Sequence, residues 1–136
     1  MAIDRAQRLF LLLMSFGLFP VALSYGVMQE HGLPLLYGIS DPDLPTRHVF
    51  RAVMGLYLGM ICFWLAGVLR PNLRIAALWT VFAFVTGIAL GRVLSLILDG
   101  WPGPLLLFYL LAEIVLAATT LWLIVLTRGR QSEAPT

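Results

Sequence analysis

Polar residues are sparse along this chain and fall in bunches. Between the bunches lie four apolar runs, at residues 8–28, 47–69, 75–98 and 105–127. Each is near the ~20 residues that cross a hydrocarbon layer as a helix. None carries the polar face that a helix in a water-soluble bundle of this size requires. The pattern predicts an all-α fold, a four-transmembrane-helix up-down bundle, with residues 1–136 forming a single integral membrane domain.

Turn and loop signals divide the runs. Residues 29–46 hold three prolines and the stretch Ser40-Asp41-Pro42-Asp43, and are predicted as a loop. Leu33, Leu35, Leu36 and Tyr37 make that loop apolar enough to lie along the membrane interface or cap the bundle. Thr46 is placed to N-cap the second helix. Arg70-Pro71-Asn72-Leu73-Arg74 and Asp99-Gly100-Trp101-Pro102-Gly103-Pro104 are short enough to force antiparallel hairpins. Pro20 should kink the first helix, because it has no amide hydrogen to donate. A second reading of that run is a cleaved signal peptide: Arg5 and Arg8, an apolar stretch, then Ala22-Leu23-Ser24. Apolar character continuing through Val27 and Met28 favours a retained span. The polar tail 128–136 is expected to fray.

Composition agrees with the pattern. Hydrophobic residues are 60% of the chain and charged residues 12%, against about half and a quarter in soluble domains. Mean hydropathy is +0.92. The net charge of +2 comes from nine basic residues, all arginine, against seven acidic ones. No basic patch with interleaved aromatics exists, which excludes a nucleic-acid partner. Arg5, Arg8, Arg70, Arg74, Arg128 and Arg130 fall at one end of the predicted bundle. The positive-inside rule then places both termini in the cytoplasm. Trp64, Trp79 and Trp122 lie five or six residues from those arginines and Trp101 lies in the opposite turn, the levels that amphipathic rings prefer. Cys62 is alone, so it forms no internal disulfide, and is expected as a packed apolar thiol.

The candidate chemistry is an ion pair. Arg92 and Glu113 flank the Asp99–Pro104 turn at similar separations. At ~1.5 Å of rise per residue they reach similar depth and can meet. Ionisable groups at membrane depth are costly and mark pairing or function. Helical spacing adds Ser95 and Asp99 to the Arg92 face and Tyr109 to the Glu113 face. Arg51, with His48 three residues before it, reaches the same level. The prediction is a polar pocket of His48, Arg51, Arg92, Ser95, Asp99, Tyr109 and Glu113, open toward the extracytoplasmic side. The bland alternative is that Arg–Glu and Arg–Asp pairs merely tie the helices together. Gly55 and Gly59, and Gly87 and Gly91, form small-xxx-small steps that are expected to pack helices within the bundle, with a homo-oligomer as the other use. Glu30, His31, Asp41, Asp43 and His48 match no established metal-ligand spacing, so no metal is expected.

The stretch His48-Val49-Phe50-Arg51-Ala52-Val53-Met54-Gly55-Leu56-Tyr57-Leu58-Gly59 resembles the second span of small bacterial four-span proteins catalogued only as a domain of unknown function. So does Gly-Arg-x-x-Ser-x-x-x-Asp-Gly over residues 91–100, with Glu113 in the last span. The resemblance covers about residues 8–127. It implies four helices, a bacterial inner membrane and no established cofactor, and it coincides with the residue-level reading at Arg51, Arg92, Asp99 and Glu113.

The expected role is non-enzymatic: binding a membrane lipid, another amphiphile or an anionic headgroup, or packing against a membrane protein partner. Arg51 and Arg92 would meet the anion and Glu113 would hold Arg92. The rival is a membrane enzyme acting on a lipid or isoprenoid, with Glu113 as acid–base. A proton-coupled carrier comes third, because four spans leave little room for alternating access.

Overall fold

The computed structural model describes residues 2–132, with side chains for residues 3–127. It is all-helical: α1 (Ala2–Gly26), α2 (Gln29–Tyr37), α3 (Leu44–Leu69), α4 (Pro71–Leu98) and α5 (Pro104–Ser132). The helices α1, α3, α4 and α5 are long and apolar enough to cross a membrane. Burial within the bundle takes in only 17–44% of the most apolar stretch of each. The remainder turns Phe16, Leu56, Leu90, Ile97, Phe108, Leu111 and Val115 outward. A belt of that kind fits a multi-pass membrane protein, because in lipid an exposed leucine is solvated by its own kind.

The four spans run up and down in sequence order. The helix α1 packs chiefly on α3, and α4 pairs with α3 and α5. Contact between α1 and α5, which closes the ring, is much sparser. Core packing centres on Leu11, Met14, Trp64, Leu78, Val81 and Ile124. Trp64 is fully buried and its indole N–H donates to Thr80 Oγ1 at 3.1 Å. It is a core residue rather than the interfacial ring that its distance from Arg70 suggested. Trp79 and Trp122 are exposed on the bundle surface.

The hairpin turns are tighter than the sequence suggested. Pro71 begins α4 directly after Arg70, because its missing amide hydrogen and fixed φ suit the first helical position. Gly100 and Gly103 carry the α4–α5 turn at φ 89° and 94°, a region that costs an L side chain energy. Asp43 rather than Thr46 caps α3: its carboxylate accepts from the Thr46 amide at 3.0 Å. Residues 128–132 of the tail continue α5 as helix, and residues 133–136 lie outside the described residues.

The largest departure is α2, in a stretch predicted as loop. Its nine residues fold back on α1 because Gly32 has no side chain: a Cβ there would meet Ser24 at 2.8 Å. Leu33 is then fully buried. Gly38 ends the helix at φ 69°, its amide donating to Pro34 O and the Ile39 amide to Leu33 O, an αL cap. Gln29 is buried and its amide donates to Tyr25 O at 2.7 Å and Arg47 O at 3.2 Å, tying α2 to α1 and α3.

The small-xxx-small steps also depart from expectation. A Cβ at Gly55, Gly59, Gly87 or Gly91 would meet nothing within 4 Å. These four glycines face outward and pack no helices within the described chain. Close approach falls instead at Gly67, where a Cβ would collide with that of Ala77 across the α3–α4 hairpin. Cys62, expected to be packed, is exposed.

The end opposite α2 is fastened by two polar contacts. Arg74, read as a turn residue, is buried and pairs with Asp4 at 3.0 Å, joining α4 to the start of α1. Gln7 Nε2 donates to Thr127 Oγ1 at 2.6 Å, joining α1 to α5.

Candidate functional site: an apolar cavity with a polar end

The predicted pair forms. Arg92 Nε donates to both oxygens of Glu113, at 2.8 and 3.0 Å. The short α4–α5 turn places the two residues opposite each other. An α-helical side chain leans toward its helix N-terminus, which lowers the guanidinium of Arg92 toward the level of Glu113. Arg92 is 23% exposed and Glu113 13%. Tyr109, one turn before Glu113, lies under the guanidinium, with Cζ 5.6 Å from the ring centroid.

The rest of the predicted pocket disperses. Ser95 Oγ donates to Asp99 Oδ2 at 2.6 Å, and both residues are exposed. No Arg–Asp pair ties Asp99 to another helix among the described residues. Ser95 shares with Arg92 only a small recess of about 60 Å³. Arg51 and His48 are exposed at the start of α3. Arg51 lines a separate groove with Glu30, His31 and Arg47. Equal depth put Arg51 near Arg92, but depth along a helix says nothing about which way round the helix a side chain points.

In place of a wide polar pocket the structure has a mainly apolar cavity of about 320 Å³ between α1, α3, α4 and α5, at the small end of the usual range for ligand sites. Leu13, Met14, Gly17, Leu18 and Val21 line it from α1, Phe84, Val85 and Ile88 from α4, and Leu116 from α5. From Leu13 to Tyr25 the α1 wall covers thirteen residues, a rise of roughly 18 Å. Its exposed lining residues include Leu13, Gly17 and Phe108, on α1 and α5. The opening therefore lies along the sparse seam between those helices. Arg92 and Glu113 stand toward the α2 end.

The chain has four tyrosines, Tyr25, Tyr37, Tyr57 and Tyr109, and all of them line this cavity. Three were missing from the sequence-derived site. Tyr25 and Tyr37 share a hydrogen bond between hydroxyls at 2.7 Å, with their rings stacked at 5.7 Å. Tyr57 meets Tyr25 edge-on at 5.4 Å and Phe84 at 4.9 Å. Tyr37 reaches the cavity only because residues 29–37 are helical. Burial, and then the Tyr25 hydroxyl, push its phenol well above its ordinary pKa. The available signal was the placement of Tyr25, Tyr57 and Tyr109 in spans, each in the half nearer the α2 end.

The cavity thus joins an aliphatic channel to an end where one cation, one anion and several hydroxyls meet. Among the described residues, Nη1 and Nη2 of Arg92 have no hydrogen-bond partner, because the carboxylate takes only Nε–H. Among the described residues no three His, Cys, Asp or Glu side chains come together as metal ligands.

Comparison with curated proteins finds no match, and comparison with solved structures finds none. A family model does match, over residues 6–124 and so most of the chain, and the chain belongs to that family, described as Domain of unknown function (DUF4345).

Proposed function

We propose that this protein is a non-enzymatic binder of a single-chain amphiphile in a bacterial inner membrane. The tail lies along the aliphatic walls of α1, α4 and α5, and the polar head meets the guanidinium of Arg92. The observation that carries this reading is the cavity itself, some 320 Å³ of largely apolar space that ends on an ion pair whose Arg92 Nη groups have no hydrogen-bond partner among the described residues. Glu113 then positions Arg92, since both its carboxylate oxygens face Nε. Both termini are cytoplasmic in this reading. The end bearing Arg5, Arg8, Arg70 and Arg74 faces inward, and the head of the amphiphile sits in the outer half of the membrane.

The test is extraction of the detergent-purified protein and mass spectrometry of the extract, set against Gly17→Leu. Gly17 lines the cavity on its exposed side and a Cβ there would meet nothing within 4 Å, so a leucine narrows the cavity mouth without straining the helix. A defined amphiphile near one per chain, absent from Gly17→Leu, supports the reading. Equal lipid in both proteins refutes it.

A second reading, association with another membrane helix, has one observation behind it. Gly55, Gly59, Gly87 and Gly91 leave open space at the bundle surface, where a foreign backbone can approach closely.

A further inference from the structure

The polar end of the cavity constrains the head of its ligand by charge, by donor count and by shape. Among the described residues that line the cavity, Arg92 and Glu113 alone are formally charged, and they neutralise each other at 2.8 Å. An anionic head would add a second negative charge to one shared, mostly buried cation, a costly arrangement. A cationic head would meet a guanidinium whose carboxylate is already engaged.

Donors, by contrast, are in surplus. Nη1 and Nη2 of Arg92 have no hydrogen-bond partner among the described residues. The Tyr25–Tyr37 contact uses one hydroxyl proton of its two. A surplus of donors without surplus charge suits a neutral head that only accepts. Alcohols and glycerides bring donors of their own and match it less well.

Shape adds a plane. The four tyrosines and Phe108 line the cavity toward the ion pair, Phe84 lies lower on α4 between Tyr57 and Trp64, and aliphatic side chains line the remainder. Aromatic walls favour a flat ring in offset or edge-on contact. The aliphatic part of the α1 wall, from Val21 to Leu13, and the seam beside α5 receive a linear tail.

We infer that the ligand is a lipid quinone: a neutral planar ring bearing carbonyl oxygens, on a linear isoprenoid or alkyl tail. One carbonyl accepts from the Arg92 Nη groups, and the tyrosine hydroxyls meet oxygens on the ring. Binding moves no electrons and breaks no bond. The inference rests on the amphiphile reading above and narrows it.

The experiment is a ligand series on the full-length, delipidated protein in detergent at pH 8, followed by calorimetry. The probes are a decyl-substituted ubiquinone, oleate and 1-dodecylglycerol. Saturable one-to-one binding of the quinone, at least about tenfold tighter than either comparator, is expected. In Arg92→Gln/Glu113→Gln, which removes both charges together, quinone affinity should fall about tenfold or more. Binding of oleate or dodecylglycerol as tight as the quinone overturns the inference while sparing the amphiphile reading. Binding of none of the three to the wild-type protein overturns both. The wild-type series alone decides, should the double variant fail to fold.

Discussion

Replacing Glu113 by leucine leaves Arg92 in a site where it is only 23% exposed and has lost its partner. At about 4 Å between charge centres and an effective dielectric near 20, the attraction removed is about 4 kcal/mol. Most of that offsets the desolvation of the two ions, so the net cost depends on what the guanidinium does next. Breaking one partner out of a buried pair costs about 3–5 kcal/mol. The partial exposure of Arg92 and its ability to reach toward headgroups reduce this to about 2–3 kcal/mol. Arg92→Leu strands a carboxylate that is 13% exposed, and a loss of about 2–4 kcal/mol follows. Carrying both changes replaces an ion pair by two leucines, and most of the loss should return. With about 1 kcal/mol of loss left in the double variant, the expected coupling energy is about 3–6 kcal/mol. Reversible unfolding in mixed micelles of increasing sodium dodecyl sulfate fraction, followed by helical circular dichroism, measures all four corners of the cycle. Additive losses within about 0.5 kcal/mol would mean that the two side chains do not touch in the folded bundle, and the polar end of the cavity would lose its basis.

Other consequences follow from single contacts. Gly17→Leu should leave stability unchanged or raise it by up to about 1 kcal/mol, because leucine favours the helix more than glycine does; a clear loss in the same unfolding assay contradicts open space at that wall. Gly32→Ala should cost about 1–3 kcal/mol by overpacking against Ser24 and loosen α2, read as faster hydrogen exchange in residues 29–37; unchanged exchange contradicts the α1–α2 contact. Gly55→Leu with Gly87→Leu should leave a monomer's stability within about 1 kcal/mol of the parent, whereas an effect that depends on protein concentration points to an interface between copies. The Thr46 hydroxyl, and then the Thr46 amide, hold the Asp43 carboxyl below the ordinary carboxylate range. Because the folded pKa is depressed, the cap's contribution is complete above about pH 4 and is lost as pH falls through the folded value. Exchange at the Thr46 amide, corrected for its intrinsic pH dependence, should therefore rise in acid, and Asp43→Ala should abolish that rise.

Long-range order was legible in the chain because hydrocarbon is a demanding solvent. A run of about twenty apolar residues has few other structures open to it, so the number of spans and their up-down order followed from the pattern of apolar runs and short connections. The Arg92–Glu113 contact followed too, because a five-residue connection leaves two antiparallel helices little freedom in relative depth. Rotation about each helix axis was not legible. In a soluble helix the polar face reports it, but these spans are apolar all round. That is why Arg51 was grouped with Arg92, and why Gly55, Gly59, Gly87 and Gly91 were assigned to the interior when they face outward. Trp64 and Trp79 show the same gap: they were given one level and one role, yet one is in the core and the other on the surface. The helix α2 was missed because Gly32, Pro34 and Gly38 carry turn signals at close spacing. Its fold depends on tertiary contact, Gly32 against Ser24 and Leu33 in the core, which no local pattern reports. The tyrosine cluster went with it, since Tyr37 enters the cavity from α2.

An experimental density map of the protein, purified in a mild detergent and never delipidated, tests the central claim most directly. Continuous density roughly 18 Å long, running from the level of Tyr25 and Arg92 down the α1–α5 seam to Leu13, is the predicted result. A seam closed by direct packing of α1 on α5, with Arg92 turned outward and no room between the helices, would contradict it.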